Sequence, residues 1–454
     1  PDAERRKLSA LRDLGYNTVR YIGCPSEAAL SAADELGLKV IVDVFDNWTY
    51  PREGSLSHLA FGYECTERAG FAVSAVRNHP SVVMYCAGNC CEETYGRRGV
   101  EYADGIFAAI RDADPSRPVA CAFGKLVPTE KELADRGAKR ADIRAAGDAD
   151  LIALGDEKGL PSEATGYMMS LADVCLCSDG FVPPDDMPFV RVDTRPEDSF
   201  DSMRISEDDL HMLGDLSSSG MDVIVRGATI AGDIDHTCLP RNTGLYRSML
   251  AGAGGSFILV GGAGAGLFEG TRCWKAADGE TVNVKVFTPG DVVALYLNGY
   301  LVGRRLAGRI NKQYASFDVE YHDGTLEAVS FLRGREFDRV TLVTPASPKG
   351  ISLLTGSKRL VSGTGGIGFI DLWITDERGE PSVDFDGDVE ISAEGAGEIV
   401  AMGNEYGREA EEDSVTVVGG HALIAVKGVG AGKFTVKAKA RGLRGGRVTF
   451  TVKE

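Results

Sequence analysis

The stretch Arg77–Glu93, RNHPSVVMYCAGNCCEE, decides the fold. An amphipathic segment ends at Asn78-His79-Pro80, and the apolar run Val82–Ala87 leads from it into Gly88-Asn89. In a parallel β/α barrel, chemistry sits where the C-terminal end of a strand meets the following loop. A strand that ends in Gly-Asn and continues into polar residues is such a place. The position after Asn89 should carry the reactive group, and it is held by Cys90.

Working outward, the first 250 residues alternate helical and strand patterns. A helix is expected over Ala3–Leu14 with Asp2 as its cap and Gly15 as its stop. A short strand over Asn17–Ile22 follows, then a helix over Ser26–Leu36 ended by Gly37, and a strand over Lys39–Phe45. Next come a helix through Phe71–Val76, the strand Val82–Ala87, a helix over Val100–Asp112 and a strand over Pro118–Ala122. Thr129–Thr165 is polar and rich in Ala and Gly, without a clear period. Leu171–Cys177 and Pro188–Asp193 read as buried strands, Leu213–Ser219 as a weaker one, and Tyr246–Leu250 as the last helix. This alternation implies βαβ units and a parallel sheet, with roughly seven of the eight units of a barrel.

Gly252–Gly266, GAGGSFILVGGAGAG, invites a phosphate-loop reading. No convincing helix follows Gly261–Gly266 and no acid stands at ribose distance, so a flexible linker is the expectation. From Glu280 the pattern changes to short alternating strands divided by Gly, Asn and Asp. They are Thr281–Thr288, Val292–Leu297, Ala315–Tyr321, Thr325–Leu332 and Arg339–Thr344, with a hairpin signal at Asn298-Gly299. A second set between Ile351 and Lys453 includes Asp371–Thr375, Val389–Ala393 and Lys433–Ala440. Each set has the length and spacing of an immunoglobulin-like β-sandwich. The expected division is a barrel over 1–267 and sandwiches over 268–346 and 347–454.

Composition narrows the function classes. With 43% hydrophobic and 26% charged residues the chain is an ordinary globular protein, and its 454 residues allow two to four domains. A net charge of -18 argues against a phosphate-binding surface, so nucleic acid is not an expected partner. No apolar run approaches the roughly 18 residues of a membrane span, and the charged N-terminal segment PDAERRKLSALRDLG does not read as a signal peptide. All 10 cysteines fall between Cys24 and Cys273 without disulfide or zinc-ribbon spacing. Buried free thiols in a reducing, cytoplasmic compartment are expected, with no metal and no cofactor. The oligomeric state is left open.

Several stretches resemble glycoside hydrolase family 2, the β-galactosidase and β-glucuronidase family. They are Leu11–Trp48, Arg77–Asn89, DADPSRPV (Asp112–Val119), DTRPEDSFDSM (Asp193–Met203), GDLSSSGMDVI (Gly214–Ile224), GLYRSML (Gly244–Leu250) and Val282–Arg305. The resemblance implies a (β/α)8 TIM barrel followed by two β-sandwich modules. It also implies that the family's sugar-binding β-domains and first barrel strand belong before Ala3–Leu14. The chain is thus expected to be a fragment, with its barrel lacking one strand and having two unpaired strand edges.

The same resemblance bears on chemistry. A retaining glycosidase uses two carboxyls about 5–5.5 Å apart, one as acid/base and one as nucleophile. By resemblance the acid/base glutamate follows Gly-Asn, where Cys90 stands, and the nucleophile glutamate ends the seventh strand, where Asp193 stands. A thiol with an ordinary pKa near 8.5 is a poor general acid for a glycosidic oxygen. Asp193 keeps a carboxylate on a shorter arm, and a misplacement of about 1 Å can cost on the order of 10²-fold in rate. An aromatic of the sixth strand falls within Cys175–Asp179, a tryptophan of the eighth at Ser218, and a histidine of the second at Gly23-Cys24. Flat faces and oriented polar groups of that kind hold sugars.

Arg20, Asp46, Trp48, Asn89 and Asp222 stand where the family lines its pocket. Each also has a plain structural alternative: an ion pair for Arg20, core packing for Trp48, a loop cap for Asn89. Glu92 is a possible substitute acid, and with Glu93 it reads more simply as a solvated loop charge. The leading expectation is a carbohydrate-related protein that is catalytically degenerate. The alternatives are an active retaining β-glycosidase using Asp193 with Glu92 or Cys90, and a non-catalytic glycan-binding or structural protein.

Overall fold

The computed structural model describes residues 1–21, 23–45, 48–49, 61, 64–91, 97–123, 174–177, 189–191, 213–215, 233–363, 366–407 and 413–454. These fall into two compact units. One begins at Tyr16 and contains a parallel sheet, and the other joins Pro1–Gly15 to the chain from residue 233 onward.

The parallel sheet has seven strands: β1 Thr18–Tyr21, β2 Lys39–Asp43, β3 Val82–Cys91, β4 Val119–Phe123, β5 Val174–Cys177, β6 Phe189–Arg191 and β7 Leu213–Asp215. Their order is β6-β5-β4-β3-β2-β1-β7. In the middle of the sheet, β2 and β3 are nearly all apolar and buried through Ala87, as strands covered on both faces must be. Helices α2 (Glu27–Leu36), α3 (Cys65–Val76) and α4 (Arg97–Ala113) alternate with these strands. Helix α2 shows the expected punctuation. The Ser26 side chain accepts the Ala29 N–H at 3.2 Å, and Gly37 ends the helix in the left-handed conformation.

A gap was expected beside Thr18–Tyr21, where the family's first strand would lie. The weakest strand candidate fills it: Thr18 pairs with Leu213 and Arg20 with Asp215 in a parallel ladder. Backbone donors and acceptors of β1 are thus satisfied on both sides. Among the described residues the sheet is open between β6 and β7 instead.

The other unit starts with helix α1 (Asp2–Asp13). The cap expected of Asp2 does not form: Pro1 precedes the helix with no side-chain cap bond, and the Asp2 carboxylate instead accepts the Ile367 backbone N–H at 2.9 Å, tying the helix to a distant strand. Helix α5 (Asn242–Leu250) packs Tyr246 and Met249 against Phe257, Leu259 and Phe287. The Phe257 and Phe287 rings stack at 4.6 Å.

Two β-sandwiches complete this unit. In the first, β8 (Phe257–Gly261), β9 (Thr281–Phe287) and β12 (Tyr314–Glu320) form one sheet. Strands β10 (Val292–Leu297), β11 (Tyr300–Leu306), β13 (Thr325–Leu332) and β14 (Arg335–Val343) form the other. The second sandwich runs from β15 (Gly350–Leu354) to β23 (Gly446–Lys453) in sheets of four and five strands. Its core includes Ile370, Leu372, Ile424, Phe434 and Phe450.

Two expectations need correction here. The Gly-rich segment 252–266 is not a linker, because Phe257–Gly261 is a buried strand paired with β9. Nor does it cradle an anion: the Lys285 ammonium donates to the Ala265 and Gly266 carbonyls, so the loop presents acceptors. Strand β11 was also missing from the expected set. It lies at a sheet edge with most side chains exposed, and so lacks the alternation that marks a half-buried strand.

Candidate active site

The strand ends give the candidate site its frame. Arg20 is the third residue of β1, and Asp43 is the last of β2. The Arg20 guanidinium grips the Asp43 carboxylate with both arms, Nε to Oδ1 at 2.9 Å and Nη2 to Oδ2 at 2.6 Å. The pair is almost fully buried, with side chains 4% and 0% exposed. A bidentate fork of this kind fixes both side chains and leaves charge balanced inside the sheet.

Trp48, five residues past β2, is fully buried. Its Nε1 donates to the Ala87 carbonyl of β3 at 3.1 Å. The indole stacks on Phe61 at 5.9 Å and meets Tyr102 of α4 edge-on at 6.4 Å. Phe61 in turn meets Phe45 edge-on at 5.2 Å. An aromatic cluster therefore braces β3 just before Gly88-Asn89.

Strand β3 runs through Asn89 and Cys90 to Cys91, with register irregularities against β4 between Cys86 and Asn89 and between Asn89 and Cys91. The backbone of Asn89 and Cys90 thus lies at the C-terminal end of a central strand, where the sequence argument put it. Asp46, Glu92, Asp193 and Asp222 lie outside the described residues. Asp193 follows the end of β6 by two positions in sequence. Of the named candidates, the structure describes the side chains of Arg20 and Trp48, and both are engaged with neighbouring protein groups.

The other end of β3 holds a denser set of polar groups, which sequence reasoning did not assign. His79 lies between Asp34 (Nδ1 to Oδ2, 2.7 Å) and Glu27 (Nε2 to Oε2, 3.1 Å), and Asp34 also accepts the Ser81 N–H at 2.8 Å. Burial pulls the imidazole pKa down, but the bonds to both carboxylates outweigh it and hold the pKa above the ordinary value. Asp34 is held below its ordinary value, because hydrogen bonds from Ser81 and His79 outweigh burial.

A second carboxylate, Asp114, accepts the Tyr85 hydroxyl at 2.7 Å and the Ser116 backbone N–H and hydroxyl at 2.9 and 2.5 Å. It also pairs with Arg117, whose Nη2 reaches the His79 carbonyl at 3.1 Å. Burial would raise the Asp114 pKa, yet these donors hold it well below the carboxylate range. The signal was present: Asp114-Pro115-Ser116 is a turn in which an aspartate bonds the backbone two residues on.

Cysteine expectations hold in part. Among the described residues Cys65, Cys86 and Cys273 are buried free thiols, Cys238 is half-buried and Cys24 is exposed just past β1. The described residues contain no group of three or more His, Cys, Asp or Glu placed to hold a metal. No described helix is long and apolar enough to cross a membrane.

Comparison with known proteins matches this architecture. The model for the family 2 glycosyl hydrolase TIM barrel domain covers residues 5–140, and that for the family 2 glycoside hydrolase C-terminal domain 5 covers 351–449. A domain of unknown function (DUF4982) covers 279–338 between them. A putative beta-glucuronidase of Formosa agariphila is 34% identical over 71 residues, 15% of this chain and 7% of that protein. A solved glycosyl hydrolase family 2 member from Bacteroides cellulosilyticus shares the fold at a TM-score of 0.80 and 22% identity, over 99% of this chain and 58% of that one. A beta-glycosidase from Bacteroides vulgatus does so at 0.70 and 16%, over 100% of this chain and 62% of that one. The chain thus spans about 60% of the length of these solved structures. With that family's barrel domain at one end and its C-terminal domain 5 at the other, the chain is a glycoside hydrolase family 2-type polypeptide.

Proposed function

We propose that this chain is a carbohydrate-related family 2-type protein whose barrel has lost most or all glycosidase activity. The observation that carries the reading is Cys90, which follows Gly88-Asn89 at the C-terminal end of β3, the place of the family's acid/base glutamate by resemblance. A retaining mechanism needs a protonated acid at the leaving oxygen and a carboxylate nucleophile. A thiol there supplies neither charge stabilisation nor a well-matched proton. Asp193, at the nucleophile position by the same resemblance, offers a carboxylate one methylene short. The engagement of Arg20 by Asp43, and of Trp48 by Ala87 and Phe61, supports a scaffold that stands without a bound sugar. β-Glycosides are the substrate class the reading considers, with Arg20, Asp46, Trp48, Asn89 and Asp222 as its substrate-contact candidates and Glu92 as a substitute acid.

The test is turnover of aryl β-galactosides and aryl β-glucuronides by the pure chain and by the double variant Cys90→Glu/Asp193→Glu. The expected result is turnover far below about 1 s⁻¹, the low end of ordinary enzymes, with a gain only in the double variant. A wild-type rate above that level, or a covalent fluorosugar adduct on Asp193, overturns the proposal in favour of an active retaining enzyme.

A further inference from the structure

Asn298–Gln313 reads NGYLVGRRLAGRINKQ, with four basic residues and no acid in a chain of net charge -18. It folds as the hairpin turn at Asn298-Gly299, strand β11 and the turn that follows. Among the described residues, β11 is the outermost strand of its sheet and pairs only with β10. Such an edge offers a row of backbone donors and acceptors to an added strand.

Natural sheets usually blunt an edge with charges that project along it. Here the arginines lie across rings of their own sandwich. The Arg304 guanidinium is 5.6 Å from the centre of the Phe331 ring, and that of Arg305 is 5.9 Å from the centre of Phe317. Large apolar side chains along the same edge are exposed: Tyr300 is 80% exposed, Leu301 54%, Leu306 69% and Ile310, in the turn, 98%. Basic charge and unshielded apolar side chains therefore share one unpaired edge.

We propose that β11 with the turn through Lys312 is a docking edge for an extended polypeptide segment that alternates acidic and apolar residues and adds to the sheet beside β11. Backbone pairing along the edge supplies affinity, Leu301, Leu306 and Ile310 receive the apolar side chains, and Arg304, Arg305 and Lys312 draw the acids. Charge decides among the occupants. Two copies meeting through this same edge would set four positive charges against four. A nucleic acid or a glycan would need flat faces to stack on, and the exposed apolar side chains of this edge are mostly aliphatic. This inference does not depend on the proposed function.

The experiment follows the anisotropy of a short labelled peptide alternating Glu and Val on titration with the full chain at low and high salt. A matched Lys–Val peptide is the control. Saturable binding of the acidic peptide is expected, with the Lys–Val peptide at least about 10-fold weaker and added salt weakening the acidic one. Arg304→Glu and Ile310→Glu should each weaken it about 10-fold or more with thermal melting unchanged. Ile310 is so exposed that its variant reads binding rather than folding. Equal binding of the two peptides, or undiminished binding by both variants, overturns the proposal. So does a dimer in sedimentation that Ile310→Glu disperses, which would assign the edge to a second copy. Binding of a uronic acid oligosaccharide, lost in Ile310→Glu, in the absence of peptide binding would assign the edge to a glycan and overturn it as well.

Discussion

The two ends of strand β3 solve different problems with the same kinds of residue. At its start, His79, Ser81 and Tyr85 reach two carboxylates, Asp34 and Asp114, that also collect Ser116 and Arg117. This network ties together α2, β3, α4 and β4 where the strands begin. Toward the strand ends, Arg20 and Asp43 grip each other in a bidentate fork, and Trp48 spends its one donor on Ala87. Among the described residues, the beginning of the strand is held by many shared bonds, and the region toward its end by a bidentate fork and an aromatic cluster. In a β/α barrel the first kind of face carries stability and the second carries chemistry. The difference fits the proposal above: the bonds at the beginning of β3 involve neither Cys90 nor any of the substrate-contact candidates.

That contrast can be broken from either side. The largest expected effect is at the strand ends. Asp43→Ala leaves the Arg20 guanidinium buried without its carboxylate and should cost about 3–5 kcal/mol, or abolish folding of the sheet. Asp114→Ala removes an acceptor shared by Tyr85, Ser116 and Arg117 and should cost about 2–4 kcal/mol, since part of the freed polar surface can reach water. Urea midpoints of the two variants check the order. If Asp114→Ala proves the costlier, the shared network at the start of the strand outweighs the Arg20–Asp43 fork. Ser26→Ala removes one cap bond from α2 and should cost about 1 kcal/mol, a baseline for a bond with no network behind it.

How far this was legible varies with how local the determinants are. Strands β10 and β13 match expectation end for end, and the Asn298-Gly299 turn forms because both residues accept positive φ, 51° and 81°. Strands β9, β12 and β14 shift by one to a few residues at their ends, where pairing rather than pattern sets the limit. The linker expected over Gly252–Gly266 failed for a non-local reason: Phe257–Gly261 is held by β9, and Lys285 of that strand holds the Ala265 and Gly266 carbonyls, neither visible in the segment's own flanks. At the candidate site, Arg20 and Trp48 could be named from sequence, but their partners Asp43, Ala87 and Phe61 come from other elements. The His79 and Asp114 networks sit inside stretches that read as family signature, and their structural role emerges only once the helix ends meet the strand starts.

The smallest expected effect is a pH dependence at the start of β3, and it isolates the His79 network from the fork. The folded pKa of His79 lies above its ordinary 6.5, so its contribution is fully present below pH 6.5 and is lost as pH rises through the raised value. The folded pKa of Asp34 lies below its ordinary 3.8, so its contribution is present above pH 3.8 and is lost as pH falls through the lowered value. Between 3.8 and 6.5 both contribute in full. The urea midpoint of the wild type should therefore exceed that of His79→Gln by its largest margin inside this window and converge toward it as pH rises above 6.5. The Arg20–Asp43 fork contains no imidazole, so Asp43→Ala should shift the midpoint by a nearly constant amount across that upper range. A His79→Gln margin that stays flat from pH 5 to 9 would mean that the imidazole acts there only as a neutral hydrogen-bonding group. The charge on the imidazole would then add nothing to the hydrogen bonds that Asp34 and Asp114 already make there.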